Sequence, residues 1–318
     1  MPEELAIGLD IGATKMAFAV VDHSGRILDH RSLPTSSGDA LDRTLDRIAI
    51  QLGQLLDAHE RCAAIGIGVP GPVDSDQGLA LNAVNLNWRE LRLRDELAQR
   101  LAQSLPIYVD NDVNVGAIGE MLFGAAMDVT DFVYLAIGTG LGGAAVSKGM
   151  LLRGATHSEM EIGHVSIDPV EGRPCSCGLR GCLEMSISGK GLVAIARQHI
   201  QDFPESGLSM DDLTTQAIIR CADQGDPLAS LVLRQAATAL GVACAWCINL
   251  FNPESILLGG GLIHALFHLL ETDMHEALRV RCLPSSLEYT NIILSQHSDA
   301  ALGAAALVWY QRQKEAEN

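Results

Sequence analysis

Apolar residues recur along the chain with two periods, and these periods predict an alternation of strands and helices. Short apolar runs with β-rich composition predict strands in the first half over residues 5–11, 16–22, 26–33, 63–69 and 106–109. Apolar residues at helical spacing predict helices over residues 39–60, 91–103 and 114–123. The first half therefore has the pattern of an α/β domain that begins with a hairpin meander.

The second half restarts with a strand and continues with mostly helical patterns. Its predicted strands cover residues 131–137, 142–147, 150–153, 254–258 and 291–295. Its main predicted helices cover residues 226–251 and 300–312. Both halves begin with a strand, a turn that contains Gly and Thr, and a second strand. This coarse similarity predicts two related α/β domains that close on a shared cleft.

Composition narrows the possible partners. The chain has 318 residues, 48% of them hydrophobic, which is enough to fill the cores of two domains. Its 39 acidic and 22 basic residues give a net charge of -17, which disfavours nucleic acid and membrane as main partners. No signal peptide is evident, so we expect a cytoplasmic protein whose eight cysteines are metal ligands or core residues.

The first glycine loop, residues 8–15, reads Gly-Leu-Asp-Ile-Gly-Ala-Thr-Lys between two strands. Glycine lets backbone N–H groups approach a phosphate closely, and we therefore predict that Gly12 and Lys15 lie at a phosphate. Thr14 is expected to donate to a phosphate oxygen, and Asp10 to hold Mg²⁺ through water.

Two further glycine clusters follow the same logic. Gly138, Thr139 and Gly140 form a second Gly-Thr loop, and the strand-like segment after it argues against a dinucleotide-binding motif. The third cluster, 259–261 (Gly259, Gly260 and Gly261), follows a strand and precedes a helix. Each cluster alone is typical of an ordinary turn, but the three together predict a site for the phosphates of ATP with Mg²⁺.

A candidate metal site follows from one histidine and three crowded cysteines. His164, Cys175, Cys177 and Cys182 supply one imidazole and three thiols, the donor set of a closed structural zinc site. We therefore expect a structural Zn²⁺ that performs no chemistry itself.

These motifs, in this order, resemble those of the ROK family (repressor, open reading frame, kinase), and most of all its bacterial glucokinases. The matching segments are 10–15, 111–112, 137–144, 161–164, 175–184 and 259–261. The resemblance implies an α/β, two-domain actin-like (ribonuclease H-like) sugar kinase fold, with ATP and sugar in the interdomain cleft. It implies a first domain over 1–111 plus the C-terminal helix 300–318, and a larger zinc-containing domain over 112–299.

The resemblance also implies roles for individual residues in phosphoryl transfer from ATP to a sugar. It makes Asp112 the general base that takes the proton of the sugar 6-hydroxyl. It places the sugar against Gly71, Asn111, Asp112, Glu161, His164 and Glu184. We expect His164 to use one ring nitrogen for zinc and the other for the sugar. By sequence alone Asp110 is an equal rival to Asp112, and an Asp before a helix is more often an N-cap than a base.

The expected function is ATP-dependent phosphorylation of a hexose, glucose to glucose 6-phosphate, by a homodimer. N-acetylmannosamine and fructose stay open as substrates, because 158–160 reads Ser-Glu-Met where the family usually has small residues ending in Gly. A sugar-sensing regulator is a further alternative, but such proteins carry a helix-turn-helix domain ahead of the first loop, and only nine residues precede Asp10. An actin-like ATPase explains neither the cysteines nor the Asn-Asp pair.

Overall fold

The computed structural model describes residues 4–35, 40–297 and 299–317. Parts of four predicted ranges, 1–111, 39–60, 112–299 and 300–318, lie outside these described residues. Contacts divide the chain into two compact units. The first holds the chain up to Val129, the segment Gly149–Glu159 and the chain from Gln296 onward, and the second holds Thr130–Lys148 and Met160–Ser295.

The regular elements follow the predicted alternation closely. The strands are β1 (Leu5–Ile11), β2 (Lys15–Asp22), β3 (Ile27–Pro34), β4 (Cys62–Val69), β5 (Val73–Asp74), β6 (Leu79–Ala83), β7 (Trp88–Leu91), β8 (Ile107–Asn111), β9 (Phe132–Ile137), β10 (Leu141–Ser147), β11 (Met150–Leu151), β12 (Ser255–Gly259) and β13 (Asn291–Leu294). The helices are α1 (Leu41–Ala58), α2 (Leu93–Arg100), α3 (Asp112–Phe123), α4 (Glu184–Ile187), α5 (Gly189–His199), α6 (Thr215–Asp223), α7 (Pro227–Phe251), α8 (Gly261–Arg279), α9 (Pro284–Tyr289) and α10 (Ala300–Glu317).

The first unit is built on a five-stranded sheet in the order β3-β2-β1-β4-β8. Strand β1 runs antiparallel to β2 and parallel to β4, and β4 runs parallel to β8. Alternate residues of β1 face opposite sides: Leu5, Ile7 and Leu9 join a core with α1, whereas Ala6 joins a core with α10. The carboxyl ends of β1, β4 and β8 therefore lie side by side, and they carry Asp10 and Asn111.

The C-terminal helix α10 approaches this sheet so closely that only glycine fits at two positions beneath it. A Cβ atom on Gly8 would lie 1.9 Å from the carbonyl oxygen of Ala301, and one on Gly66 would lie 1.9 Å from that of Ala304. Small residues on both surfaces thus bring α10 onto the sheet and make it part of the first unit.

The division between the units differs from the expected boundary after residue 111. Helix α3 packs against α10 and β4, and a Cβ atom on Gly119 would lie 2.9 Å from the Cα of Gly303. Because α3 is held by these contacts, the first unit continues to Val129. A small antiparallel sheet, β5-β6-β7, for which the sequence analysis predicted no strands, adds Trp88 to the core of the first unit.

The second five-stranded sheet has the order β11-β10-β9-β12-β13, with β9, β12 and β13 parallel. Helices α7 and α8 pack together in the core that covers it. Among the described residues, α7 is the one helix long and apolar enough to cross a membrane, but 67% of its most apolar stretch is buried. Its hydrophobicity is therefore explained by packing in this core.

We expect Gly66→Ala to lower the stability of the protein by about 3 kcal/mol or more, because its methyl group would meet backbone of α10 that cannot move aside. Thermal melting measures this change. The matched control is Gly53→Ala in α1, where a Cβ atom meets no described atom beyond the neighbouring backbone of its own helix within 4 Å. That variant should gain about 1 kcal/mol from helix propensity. Equal melting temperatures for the two variants would contradict the packing described here.

Candidate functional site

A buried ion pair fixes the turn at the end of β8. Asp110 is completely buried, and Arg153 donates to both of its carboxylate oxygens, with 2.8 Å between Nη1 and Oδ1. Oδ1 also accepts from the backbone N–H of Asn111 at 2.7 Å and from the side chain of Asn114 at 3.1 Å. With a guanidinium and two N–H donors on its carboxylate, Asp110 serves as a structural anchor and has no free face for a substrate.

Asn111 is the N-cap of α3. Its Oδ1 accepts from the N–H groups of Val113 at 2.9 Å and Asn114 at 3.1 Å. Its Nδ2 donates to the carbonyl of Gly71 at 3.0 Å and to Oδ1 of Asp112 at 3.0 Å. All four hydrogen-bonding positions of this amide are therefore taken within the protein. The amide ties the Gly71 turn to Asp112.

Asp112 lies at the first position of α3, and because Asn111 provides the cap, its carboxylate is not needed there. Its Oδ1 accepts from Asn111 and from the N–H of Val113 at 2.9 Å. Oδ2 accepts no hydrogen bond from any other residue that the structure describes. The two neighbouring acids, indistinguishable by sequence, thus differ in their surroundings: Asp110 is saturated and Asp112 keeps one oxygen free.

The carboxylates at the ends of β1 and α3 influence each other. A Cβ atom on Gly68 would lie 3.6 Å from Oδ1 of Asp10 and 3.6 Å from Cα of Asp112, so the two acids flank this glycine. Burial, followed by the charges of Asp112 and Asp299, raises the pKa of Asp10 to about 7, although Lys15 opposes the shift. Burial also raises the pKa of Asp112 above its ordinary value of 3.8.

The first glycine loop is a tight turn between β1 and β2. The N–H of Gly12 donates to the carbonyl of Lys15 at 3.0 Å, and Thr35 Oγ1 donates to the carbonyl of Gly12 at 2.8 Å. Thr14 and Lys15 are exposed at its tip. The predicted phosphate-binding residues Asp10, Gly12, Thr14 and Lys15 are therefore neighbours in the first unit.

The four predicted zinc ligands come together in the second unit. One ligand atom each from His164, Cys175, Cys177 and Cys182 lies within 4.8 Å of the others. The distances are 3.8 Å from Cys175 Sγ to His164 Nδ1 and 3.6 Å from Cys177 Sγ to Cys182 Sγ. A tetrahedron with Zn–S bonds of about 2.3 Å has edges of about 3.8 Å, so the donor set and its spacing fit Zn²⁺.

The thiols themselves favour a cation. Burial, together with the hydrogen bonds that the Cys182 thiol donates to Cys177 and Cys175, raises the pKa of Cys182 to about 12. Three cysteines crowded in this way ionise together only when a positive charge compensates them. Zinc would supply that charge.

His164 has a different neighbour at each ring nitrogen. Its Nδ1 faces Cys175 in the cysteine cluster, and its Nε2 lies 3.8 Å from Oε2 of Glu161. A 3₁₀ turn, Ile162–His164, sets this arrangement. The cluster thus orients the imidazole, and the ring's other edge lies beside a carboxylate that is 47% exposed.

Glu184 supports the second glycine loop. This carboxylate is buried, and its Oε2 accepts from the N–H of Leu141 at 3.1 Å. A Cβ atom on Gly140 would lie 2.5 Å from the same oxygen. The absence of a side chain at Gly140 therefore lets Glu184 reach and hold the loop.

A cavity of about 820 Å³ opens in the second unit next to this loop. Its lining includes Gly138, Thr139 and Gly261, three of the residues predicted to contact ATP. The other lining residues are Gly189, Lys190, Val193, Arg197, Thr215, Gln216, Ile219, Leu262 and Ala265. Sequence analysis missed these residues because they lie on helices α5, α6 and α8, which meet only in the folded unit.

The cavity combines positive charge, helix N-termini and apolar walls. Lys190 and Arg197 lie two turns apart on α5, and the first turns of α5, α6 and α8 all border the cavity. Among the described residues no side chain caps α8, so its first N–H groups stay available to an anion. An anionic ligand with an apolar part fits this lining.

Two of the predicted glycines have packing roles. Gly259 is buried at the end of β12, where a Cβ atom would lie 2.2 Å from the Tyr134 hydroxyl. Gly260 has a φ of 97° and would place a Cβ atom 2.4 Å from the carbonyl of Ile137. These two residues allow the turn into α8, while Gly261 faces the cavity.

Met160, which departs from the family pattern, is partly buried and packs against the core of the second unit. A Cβ atom on Gly143 would lie 3.2 Å from Cε of Met160 and 3.0 Å from Cγ2 of Ile162. The φ angle of Met160 is 55°, in the left-handed region where glycine is usual. The bulky side chain thus belongs to the packing beneath β10.

The chain is similar to a known protein family over nearly its whole length. A sequence profile described as the ROK family matches residues 6–311. A glucokinase from Halalkalibacterium halodurans is 35% identical over 274 residues, which cover 83% of this chain and 82% of that protein.

Two solved structures extend the comparison. A ROK family glucokinase from Streptomyces griseus, in complex with glucose and AMPPNP, is 33% identical with a TM-score of 0.81, covering 95% of this chain and 98% of that one. A ROK family transcriptional regulator, a homologue of the E. coli MLC protein, is 30% identical with a TM-score of 0.87, covering 96% of this chain and 78% of that one. The predicted actin-like fold, with two five-stranded α/β sheets, is thereby confirmed.

We expect Cys177→Ser to reduce the zinc content well below one ion per chain and to lower the melting temperature, because a hydroxyl replaces one thiolate of the set. Metal analysis of the purified protein measures the zinc. The control is Cys282→Ser, a cysteine outside the cluster, which should keep its zinc. Unchanged zinc in Cys177→Ser would rule out this centre.

Proposed function

The chain belongs to the ROK family, and we propose that it is a kinase that transfers the γ-phosphoryl group of ATP to a hexose, with glucose as substrate. The observation that carries the proposal is the free Oδ2 of Asp112, held beside the saturated Asp110 by the cap of α3. A base needs such an oxygen, within reach of a substrate hydroxyl and backed by a rigid support.

Asp112 takes the proton of the attacking sugar hydroxyl in this proposal. Phosphoryl transfer depends mainly on positioning and on stabilising charge, so a fixed carboxylate suits the task. Only ionised Asp112 accepts the proton. Because burial raises its pKa, we expect kcat/KM to fall on the acid side at a higher pH than for an ordinary aspartate.

The sugar contacts are assigned to Glu161 and His164, with Gly71 and Glu184 as further candidates. Glu161 and the Nε2 edge of His164 lie side by side and offer hydrogen-bond partners for sugar hydroxyls. Asn111, whose amide is fully used within the protein, acts in this proposal by holding Asp112 in place.

The cavity in the second unit suits the nucleotide. Its volume of about 820 Å³ lies in the range of small-molecule sites. Lys190, Arg197 and the N-terminus of α8 favour phosphates, while Val193, Ile219 and Leu262 favour the flat apolar face of a base.

Magnesium fits the acidic end of β1. Mg²⁺ prefers oxygen ligands, and the Asp10 carboxylate, with a pKa raised to about 7, ionises more readily beside a cation. When bound, Mg²⁺ supplies charge neutralisation for the phosphates. The structural zinc, the homodimer and the cytoplasmic location expected from the sequence belong to the same proposal.

Glucose is the preferred substrate because the relatives at 33–35% identity are named glucokinases, one of them in complex with glucose. N-acetylmannosamine and fructose are the alternatives. The similarity to a transcriptional regulator, with a TM-score of 0.87, supports a sugar-sensing regulator as second candidate. The net charge of -17 argues against DNA binding.

A coupled assay with MgATP and a panel of hexoses and N-acetylhexosamines tests the proposal. We expect phosphorylation of glucose, and about a 10²–10⁴-fold lower kcat for Asp112→Asn with sugar binding retained, because the amide accepts no proton. The control Asp128→Asn changes an exposed acid of the same unit and should behave as the wild type. Near-normal turnover by Asp112→Asn refutes its role as base, and sequence-specific DNA binding without phosphorylation favours the regulator.

We expect Lys190→Ala to raise the KM for ATP about tenfold while leaving the KM for the sugar unchanged, because it removes a charge-assisted contact to phosphate. Steady-state kinetics with each substrate varied in turn measure both constants. Arg234→Ala removes an exposed cation on α7 away from the cavity lining and serves as control. A KM for ATP equal to that of the control would remove Lys190 from the nucleotide site.

A further inference from the structure

Glu159 is a mostly buried acid whose hydrogen-bond partners, Asn114 and Gly154, lie in the first unit. Only 12% of its side chain is exposed. Its Oε1 accepts from Nδ2 of Asn114 at 3.1 Å, and its Oε2 accepts from the N–H of Gly154 at 3.2 Å. Nη1 of Arg153 lies 3.9 Å from Oε1. Glu159 therefore joins the two ends of the segment 154–159 by one hydrogen bond and binds this segment to α3 by another.

The same partners hold the turn that carries Asp112. Nδ2 of Asn114 donates to both Glu159 and Asp110, and Arg153 pairs with both acids. An amide has two hydrogens on its nitrogen, and Asn114 uses both here. Glu159 and Asp110 thus share one donor set, and the position of each depends on the other.

Stability alone is a weak reason for this arrangement. Two acids share a single guanidinium, which leaves an excess negative charge in a mostly buried network. Buried ionic networks often contribute less to stability than apolar packing does, whereas they specify geometry. The geometry specified here joins segment 154–159 to the start of α3.

The chain on either side of Glu159 needs such an anchor. His157 and Met160 both have left-handed backbone angles, with φ of 57° and 55°. Non-glycine residues keep such angles only where surrounding contacts enforce them. Glu159 is the last residue of the first unit at this crossing, and Met160, packed under β10, is the first of the second. Glu161 follows directly.

We propose that Glu159 is a positioning residue for the sugar: by binding Asn114 and Gly154, it anchors the chain that leads into Glu161 to the element that carries the base Asp112. This inference rests on the proposed kinase function. In this proposal Glu159 itself contacts no substrate. It acts by restricting the position of the backbone that leads into Glu161.

Kinetics of Glu159→Ala and Glu159→Gln test the proposal. The alanine variant leaves the Asn114 amide and the Gly154 N–H without their acceptor, and we expect the KM for the sugar to rise about tenfold. The KM for ATP should stay unchanged. Glu159→Gln keeps one of the two acceptor oxygens and should give an intermediate KM for the sugar. General disruption of the fold would change the KM for ATP as well. Glu60→Ala, an exposed acid of the same unit, is the matched control.

Hydrogen exchange of the peptide covering 154–161 gives a readout that needs no activity. We expect faster exchange there in both Glu159 variants than in the control. If the wild type phosphorylates a hexose and Glu159→Ala matches Glu60→Ala in the KM for that sugar, the positioning role is overturned while the kinase stands. If the wild type phosphorylates no sugar, the kinase proposal fails, and unchanged exchange would then also refute the anchor. Should Glu159→Ala fail to fold, the glutamine variant carries both measurements.

Discussion

The buried carboxylate of Asp110 must be compensated by donors, and this requirement determines the structure of the turn between β8 and α3 that carries Asp112. A carboxylate with no access to water is costly unless charge and hydrogen bonds compensate it. Arg153, Asn114 and the N–H of Asn111 provide that compensation. The turn between β8 and α3 is therefore determined by donors from two distant segments, and it presents Asn111 as cap and Asp112 as the residue with a free oxygen.

The second unit also contains a buried carboxylate, that of Glu184, which is compensated by a backbone N–H group. Glu184 is buried beneath the glycine loop and holds the N–H of Leu141, which shapes the loop from below. Three helices begin at the cavity beside it, and their N-termini contribute positive potential without any net charge. The cysteine cluster orients His164 in the same unit. The anion binding that we propose for this cavity therefore depends on backbone dipoles and on two local cations, Lys190 and Arg197, in an otherwise acidic protein.

A fold shared by kinases and regulators does not decide function, which depends on the state of individual groups. Glu159 and Met160, which belong to the segment 158–160 that departs from the family pattern, illustrate this. By sequence they leave the substrate open, because a bulky residue and an acid precede Glu161. In the structure Met160 packs beneath β10 and Glu159 binds Asn114 and Gly154, so both side chains have partners within the protein.

The sequence by itself determined whatever depends on near neighbours along the chain. The apolar periods located β1, β4, α1 and α7 to within a few residues, and the crowding of Cys175, Cys177 and Cys182 indicated the metal site. The tertiary structure alone decided what depends on residues far apart in sequence. It distinguished Asp112 from Asp110 through Arg153, extended the first unit to Val129 through α10, and assembled the cavity from α5, α6 and α8. The physical reason is that burial, hydrogen-bond satisfaction and pKa depend on which distant segments come into contact. A local sequence pattern contains no information about those contacts.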